Sequence, residues 1–192
     1  QLHEPSSLLF ADEAALRWMA KTLIRSGRPM FLERVRTDSP VLDAITRAAQ
    51  GRAVVIARPQ ASCPYIELDE TWLDPLSHLN AGRRSDLRRA RRKAEQIGTL
   101  TTEILTPSAD EVPPLLEEAL AIEERSWKGE SGTALSRDPA RARFFADFAR
   151  RAAESLTLRL CFLRIGDQRV AMQVALQQQG GFWLLKVGYD AQ

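Results

Sequence analysis

The chain has 192 residues, 44% of them hydrophobic, which supports one substantial core or two small ones and excludes a disordered polymer. Its 27 basic and 25 acidic side chains leave a formal charge of +2, which argues against a general nucleic-acid binder. No apolar run approaches the roughly 18 residues of a membrane span, and the N-terminus lacks a charged-then-apolar layout, so a cytoplasmic protein without membrane insertion is expected.

In chain order, Gln1 to Phe10 has little periodicity and reads as a loop. From the N-cap Asp12, the residues Ala15, Leu16, Met19, Leu23 and Ile24 share one helical face that ends at Gly27. Met30 to Val35 has strand character. Ser39-Pro40 opens a second helix through Val41, Leu42, Ile45 and Ala48, and Ala53 to Ala57 reads as a further strand. This helix–strand–helix–strand order predicts an α/β layer over residues 1–62, and Cys63 to Leu68 reads as a strand that opens a second unit, 63–192. Trp72 to Leu79 is expected to be a short amphipathic helix.

The next stretch, Asn80 to Gly98, carries seven positive charges between Arg83 and Lys93, beside a narrow apolar stripe of Leu87, Ala90, Ala94 and Ile97. It reads as a helix with one side docked and a cationic side in solvent. Such self-repulsion is offset by an anion, an acidic neighbour or plain solvation. Thr99 to Leu105 is β-rich. A helix with Leu115, Leu116, Ala119 and Ile122 begins after Asp110, with Pro113 and Pro114 confined to its first turn. After Trp127 comes a polar loop, Gly129 to Arg137, and Asp138-Pro139 opens a helix bearing Phe144, Phe145, Phe148 and Ala152. Three alternating strands close the chain: Leu156 to Phe162, Val170 to Leu176, and Phe182 to Tyr189.

The chemistry-bearing motifs are mostly negative. There is no GxSxG, HExxH or P-loop. Cys63 and Cys161 have no metal or redox spacing and read as small apolar fillers, while His3 and His78 make no ligand cluster, so no metal is expected. Glu123, Glu124, Trp127 and Lys128 gather at a helix end. Gln173, Gln177, Lys186, Tyr189 and Asp190 lie on the last two strands or just past them. Lys186 interrupts an apolar strand, where an unpaired ammonium is costly to bury, so it either has a partner or lines an open cleft.

The segments CPYIEL, LNAGRRSDLRRARRKAEQIG, IEERSWKGESGTAL, LRLCFLRIGDQRVAMQVALQ and FWLLKVGYD together resemble the CelD-like, cellulose-biosynthesis-type acetyltransferase domain of the GNAT superfamily, related to the FemAB aminoacyl transferases. The similarity covers about Cys63 to Asp190. It implies a mixed, largely antiparallel sheet flanked by helices, with residues 1–62 ending a first GNAT-like half of a tandem arrangement. It also implies transfer of an acyl group from acyl-CoA to an amine or hydroxyl acceptor, in polysaccharide biosynthesis in a bacterium, without a covalent nucleophile. On that resemblance Arg83, Arg84 and Arg88 contact an anionic substrate, Trp127, Lys128 and Gln173 line the cleft, and Lys186, Tyr189 and Asp190 stand at the reacting end, with Tyr189 a proton donor to the departing thiolate. The chain begins at Gln1 and stops at Gln192, and is read as a fragment whose glycine-rich donor loop lies beyond Gln192. The alternatives are an aminoacyl-tRNA-dependent transferase and a non-catalytic binding lobe.

Overall fold

The structure, a computed structural model, describes residues 6–59 and 64–191. Cys63 and His3 lie outside the described residues. Contacts divide the chain into two compact units, Gln1–Glu67 and Leu68–Gln192.

The first unit is built on two helices, α1 (Glu13–Arg25) and α2 (Pro40–Ala49). Asp12 caps α1 by accepting the Ala15 N–H at 2.7 Å. Ser39 caps α2 by accepting from Val41, and Pro40 sits at the start of α2, where no N–H is needed. Both helices follow their sequence periodicity, and Leu16 and Ala20 pack against Val41 and Ile45. The expected strands Met30–Val35, Ala53–Ala57 and Cys63–Leu68 do not form a sheet among the described residues. One isolated bridge joins Ser6 to Val35, while Phe31, Val54 and Ile56 are exposed. β-branched composition favours extension, but a strand persists only where a neighbour takes its N–H and C=O groups.

The second unit opens with two short 3-10 turns, Glu70–Leu73 and Pro75–His78, in place of the expected amphipathic helix; Pro75 and the Asp74 break interrupt it. Helix α3 (Ala81–Ile97) follows, capped by Asn80, and then β1 (Leu100–Leu105), α4 (Val112–Glu124), the single turn α5 (Trp127–Glu130), α6 (Pro139–Glu154), β2 (Leu158–Ile165), β3 (Gln168–Gln178) and β4 (Gly181–Tyr189). The four strands form one antiparallel sheet in the order β1-β2-β3-β4. The β3–β4 turn places both Gln179 (φ 49°) and Gly180 (φ 75°) in the left-handed region, as a two-residue hairpin requires.

Alternation along β2 and β3 sends Leu158, Leu160, Phe162, Met172 and Val174 to one sheet face. There they meet Val112, Leu116, Ala119 and Ile122 of α4 and Phe145, Ala149, Ala152 and Ala153 of α6. Ser108 and Glu111 close a turn just ahead of α4, the Glu111 carboxylate accepting from both the Ser108 N–H and its hydroxyl, while the helix itself has no side-chain cap. In α6, Phe145 is buried but Phe144 points outward and stacks on Phe148, so the apolar face is narrower than the sequence suggests.

Helix α3 departs most from expectation. It buries no residue: Leu87 is 49% exposed and Ile97 80%. A stripe containing two alanines removes too little apolar area from water to dock the helix firmly. What holds it are its Asn80 cap and the ion pairs Arg89–Asp86 and Arg91–Glu95.

Candidate active site

The C-terminal end of α4 and the end of β4 meet unusually closely. A Cβ added at Gly188 would lie 2.9 Å from the Glu123 Cα, and one at Gly129 would lie 1.8 Å from the Glu124 carbonyl oxygen. Only glycine lets β4 run against α4 at the first point and lets α5 fold back over the end of α4 at the second. Ser126 secures that fold: its hydroxyl donates to the Glu123 carbonyl at 2.6 Å and accepts from the Lys128 N–H.

The closeness encloses Glu123, whose side chain is fully buried. Its Oε1 accepts from Lys128 Nζ at 3.1 Å and from Lys186 Nζ at 3.4 Å, and its Oε2 accepts the Leu135 N–H at 3.1 Å. Lys128 also donates to the Val187 carbonyl at 2.5 Å. A buried carboxylate without partners would be prohibitively costly, and these donors offset its desolvation. Lys186 reaches α4 because of register. It is the partner of Val174 on the helix-covered face, and the pairing slips between Val174 and Ala175, leaving Leu185 as the extra residue of a bulge.

Two ion pairs flank the cluster. Arg125 Nε binds Asp190 at 2.6 Å, the Asp190 carboxylate being nearly buried. Glu124 accepts from the Ser136 hydroxyl and pairs with Arg137. The Ser136 hydrogen bond, against the opposing effect of burial and with help from Arg137, holds the Glu124 carboxyl below the usual carboxylate range. Burial pushes the Cys161 thiol up, partly countered by Arg159, which suits a packing role and not a thiolate one.

The residues singled out in the sequence fall into three groups. Lys128, Lys186 and Asp190 converge on the end of α4, with Trp127 beside Lys128 and 53% exposed. Tyr189 and Gln173 lie on the opposite sheet face: Gln173 pairs with Val187, Ala171 with Tyr189, and Tyr189 is 49% exposed. Arg83, Arg84 and Arg88 lie on α3, which meets the sheet chiefly along β1 and β2, away from the β4 edge. Arg83 and Arg88 are exposed, but Arg84 is half-buried and donates to the Leu79 carbonyl, closing the turn ahead of α3.

Arg125 is missing from the residues that the sequence singles out, and Glu123, gathered with Glu124, Trp127 and Lys128 at a helix end, is not among those assigned to the site. For Glu123 a signal exists: it continues the Val112, Leu116, Ala119 stripe at helical spacing, so a carboxylate stands where an apolar residue would be buried. Arg125 has no such signal, because its partner Asp190 is 65 residues away. Among the described residues no group of His, Cys, Asp and Glu is placed to hold a metal ion, and no helix is long and apolar enough to cross a membrane.

A family model described as "Acetyltransferase (GNAT) domain" matches residues 81–192. No curated protein and no solved structure matches the chain.

Proposed function

Because the chain belongs to the acetyltransferase (GNAT) domain family, we propose that it transfers an acyl group from acyl-CoA to an amine or hydroxyl acceptor beside the end of β4. The observation that carries this reading is the enclosure of Glu123, Lys128 and Lys186 next to a bulge in an edge strand. A bulge releases backbone groups from the ladder, and such groups can be offered to a thioester carbonyl or a pantetheine amide.

The chemistry asks little of the side chains beyond placement. The acceptor nitrogen or oxygen bonds to the acyl carbon and gives up its proton to water, the carbon–sulfur bond breaks, and the departing thiolate takes a proton from Tyr189, which the released proton restores. Backbone donors near the bulge stabilise the oxyanion, Lys128 and Lys186 orient the substrates, and Asp190 is held in place by Arg125. Tyr189, on the other face of the same edge strand, is the proton donor to the thiolate; a ligand lying along the edge reaches both faces. The exposed arginines of α3 attract anionic substrates from a distance. Amino sugars and polysaccharide precursors are the acceptors we favour, as the resemblance to cellulose-biosynthesis-type domains suggests.

The test is titration calorimetry with acetyl-CoA, followed by thiol release from acetyl-CoA across a panel of amines, amino sugars and hydroxylated sugars. Binding together with acceptor-dependent release supports the reading. Binding of neither acetyl-CoA nor CoA, with salt-sensitive binding of tRNA instead, overturns it in favour of an aminoacyl-tRNA donor.

A further inference from the structure

We propose that Lys186 binds an anionic group of a substrate, a carboxylate or a phosphate, and that Glu123 is the positioning residue that holds its ammonium in place; this deepens, and rests on, the acyl-transfer reading. The charge count carries the argument. Two ammonium groups share one carboxylate oxygen, and the other oxygen is taken by a backbone N–H, so the cluster has one positive charge in surplus. The two lysines are not equivalent. Lys128 has a close carboxylate contact and a carbonyl, and it alone suffices to neutralise Glu123. Lys186 has a single long contact at 3.4 Å among the described residues, although an ammonium carries three donors. Its side chain is 13% exposed, against 0% for Glu123, so the cluster is not sealed from solvent at this residue.

A lysine kept only for the fold would not be placed against a like charge in a region of low dielectric. An incoming anion relieves that repulsion and takes up the unused donors, and a lysine suits a carboxylate or phosphate as a compact point charge. A stability signature follows. Lys186→Met keeps the apolar stem and leaves Glu123 and Lys128 as a balanced pair, so the variant melts at or above the wild-type temperature.

Thermal melts of the full chain in inorganic phosphate, at constant ionic strength against chloride, test this. Wild type gains melting temperature with phosphate, Lys186→Met does not, and the double variant Arg83→Ala with Arg88→Ala keeps the gain. Three results overturn the proposal: no gain in wild type, a gain that persists in Lys186→Met or is lost in the α3 variant instead, or a fall of several degrees in Lys186→Met without phosphate, which makes the lysine structural. Kinetics then separate the sources. Lys186→Met raises KM about tenfold, equivalent to roughly 1.4 kcal/mol, for acetyl-CoA but not acetyl-pantetheine if the donor carries the anion. If the acceptor carries it, the rise appears for an acid acceptor and not for its amide. The phosphate melts need no turnover, so failure to acylate any acceptor would sink the acyl-transfer reading and leave the anion site to be judged on the melts.

Discussion

Gly188 lies directly against the backbone of Glu123: a Cβ on this glycine would come within 2.9 Å of the Glu123 Cα and 3.2 Å of its nitrogen. These are backbone atoms near the end of a packed helix and cannot swing aside as a side-chain tip would. Gly188→Ala therefore pushes α4 and β4 apart and costs about 1–3 kcal/mol, as overpacking does. Urea denaturation reads the loss, and an unchanged midpoint would mean that the two elements are not in this contact.

Removing the carboxylate at the centre of the cluster should be more damaging than removing either lysine. Glu123→Gln keeps an acceptor for the Leu135 N–H but leaves two ammonium groups without a counter-charge, and breaking a buried pair in this way costs about 3–5 kcal/mol. A denaturant midpoint close to wild type would show that the lysines are solvated and the cluster is not an electrostatic unit.

A second ionic group lies elsewhere on the helix-covered face. Glu103 of β1 bridges Arg164 at 2.9 Å and Arg169, which also pairs with Glu118 of α4 and lies over the Phe162 ring. Burial pushes the Glu103 carboxyl up, but the guanidinium hydrogen bonds more than offset this and hold it below the usual carboxylate range. The sign follows from the depressed value: the contribution to stability is complete above the unfolded carboxyl value of about 4.3 and is lost as pH falls through the folded one. Glu103→Gln should thus flatten the acid limb of the melting profile between about pH 5 and pH 2. If the variant keeps the wild-type acid limb, other carboxylates set it.

On α3 the expectation divides residue by residue. Arg88 is exposed and has no intramolecular partner among the described residues, so Arg88→Ala should leave stability within about 0.5 kcal/mol of wild type. Arg84→Ala loses the bond to the Leu79 carbonyl and should lower the melting temperature measurably. Equal effects of the two in calorimetry would contradict this division.

Gly129→Ala tests the fold of α5 over α4. With the added carbon 1.8 Å from the Glu124 carbonyl, the turn must open and carry Lys128 away from Glu123, so both stability and any acyl transfer should fall together. Loss of transfer with an intact melting temperature would place the effect outside this turn.

The sequence by itself determined the four strands and the three long helices α3, α4 and α6 of the second unit, but not its short turns. The alternation of Leu158, Leu160 and Phe162 against Arg159 and Cys161, the Gly180 turn and the start of α4 after Asp110 with Pro113 and Pro114 in its first turn are local patterns whose period and turn chemistry leave few alternatives. It also indicated that Lys186 needed either a partner or an open cleft, since an ammonium in an apolar strand must be offset by something. Local pattern failed where the outcome depended on distant groups. Among the described residues the strand-like stretches near Met30 and Ala53 form no ladder beyond the single Ser6–Val35 bridge, and the thin stripe on α3 found too little surface to bury. Only the tertiary structure decided that the partner of Lys186 is Glu123, 63 residues earlier, that Lys128 shares the same oxygen, and that Tyr189 looks out of the opposite face. The reason is physical: side-chain period places a residue on a face, but which charge meets it there depends on the register of β4 and on two glycines that let the backbones touch.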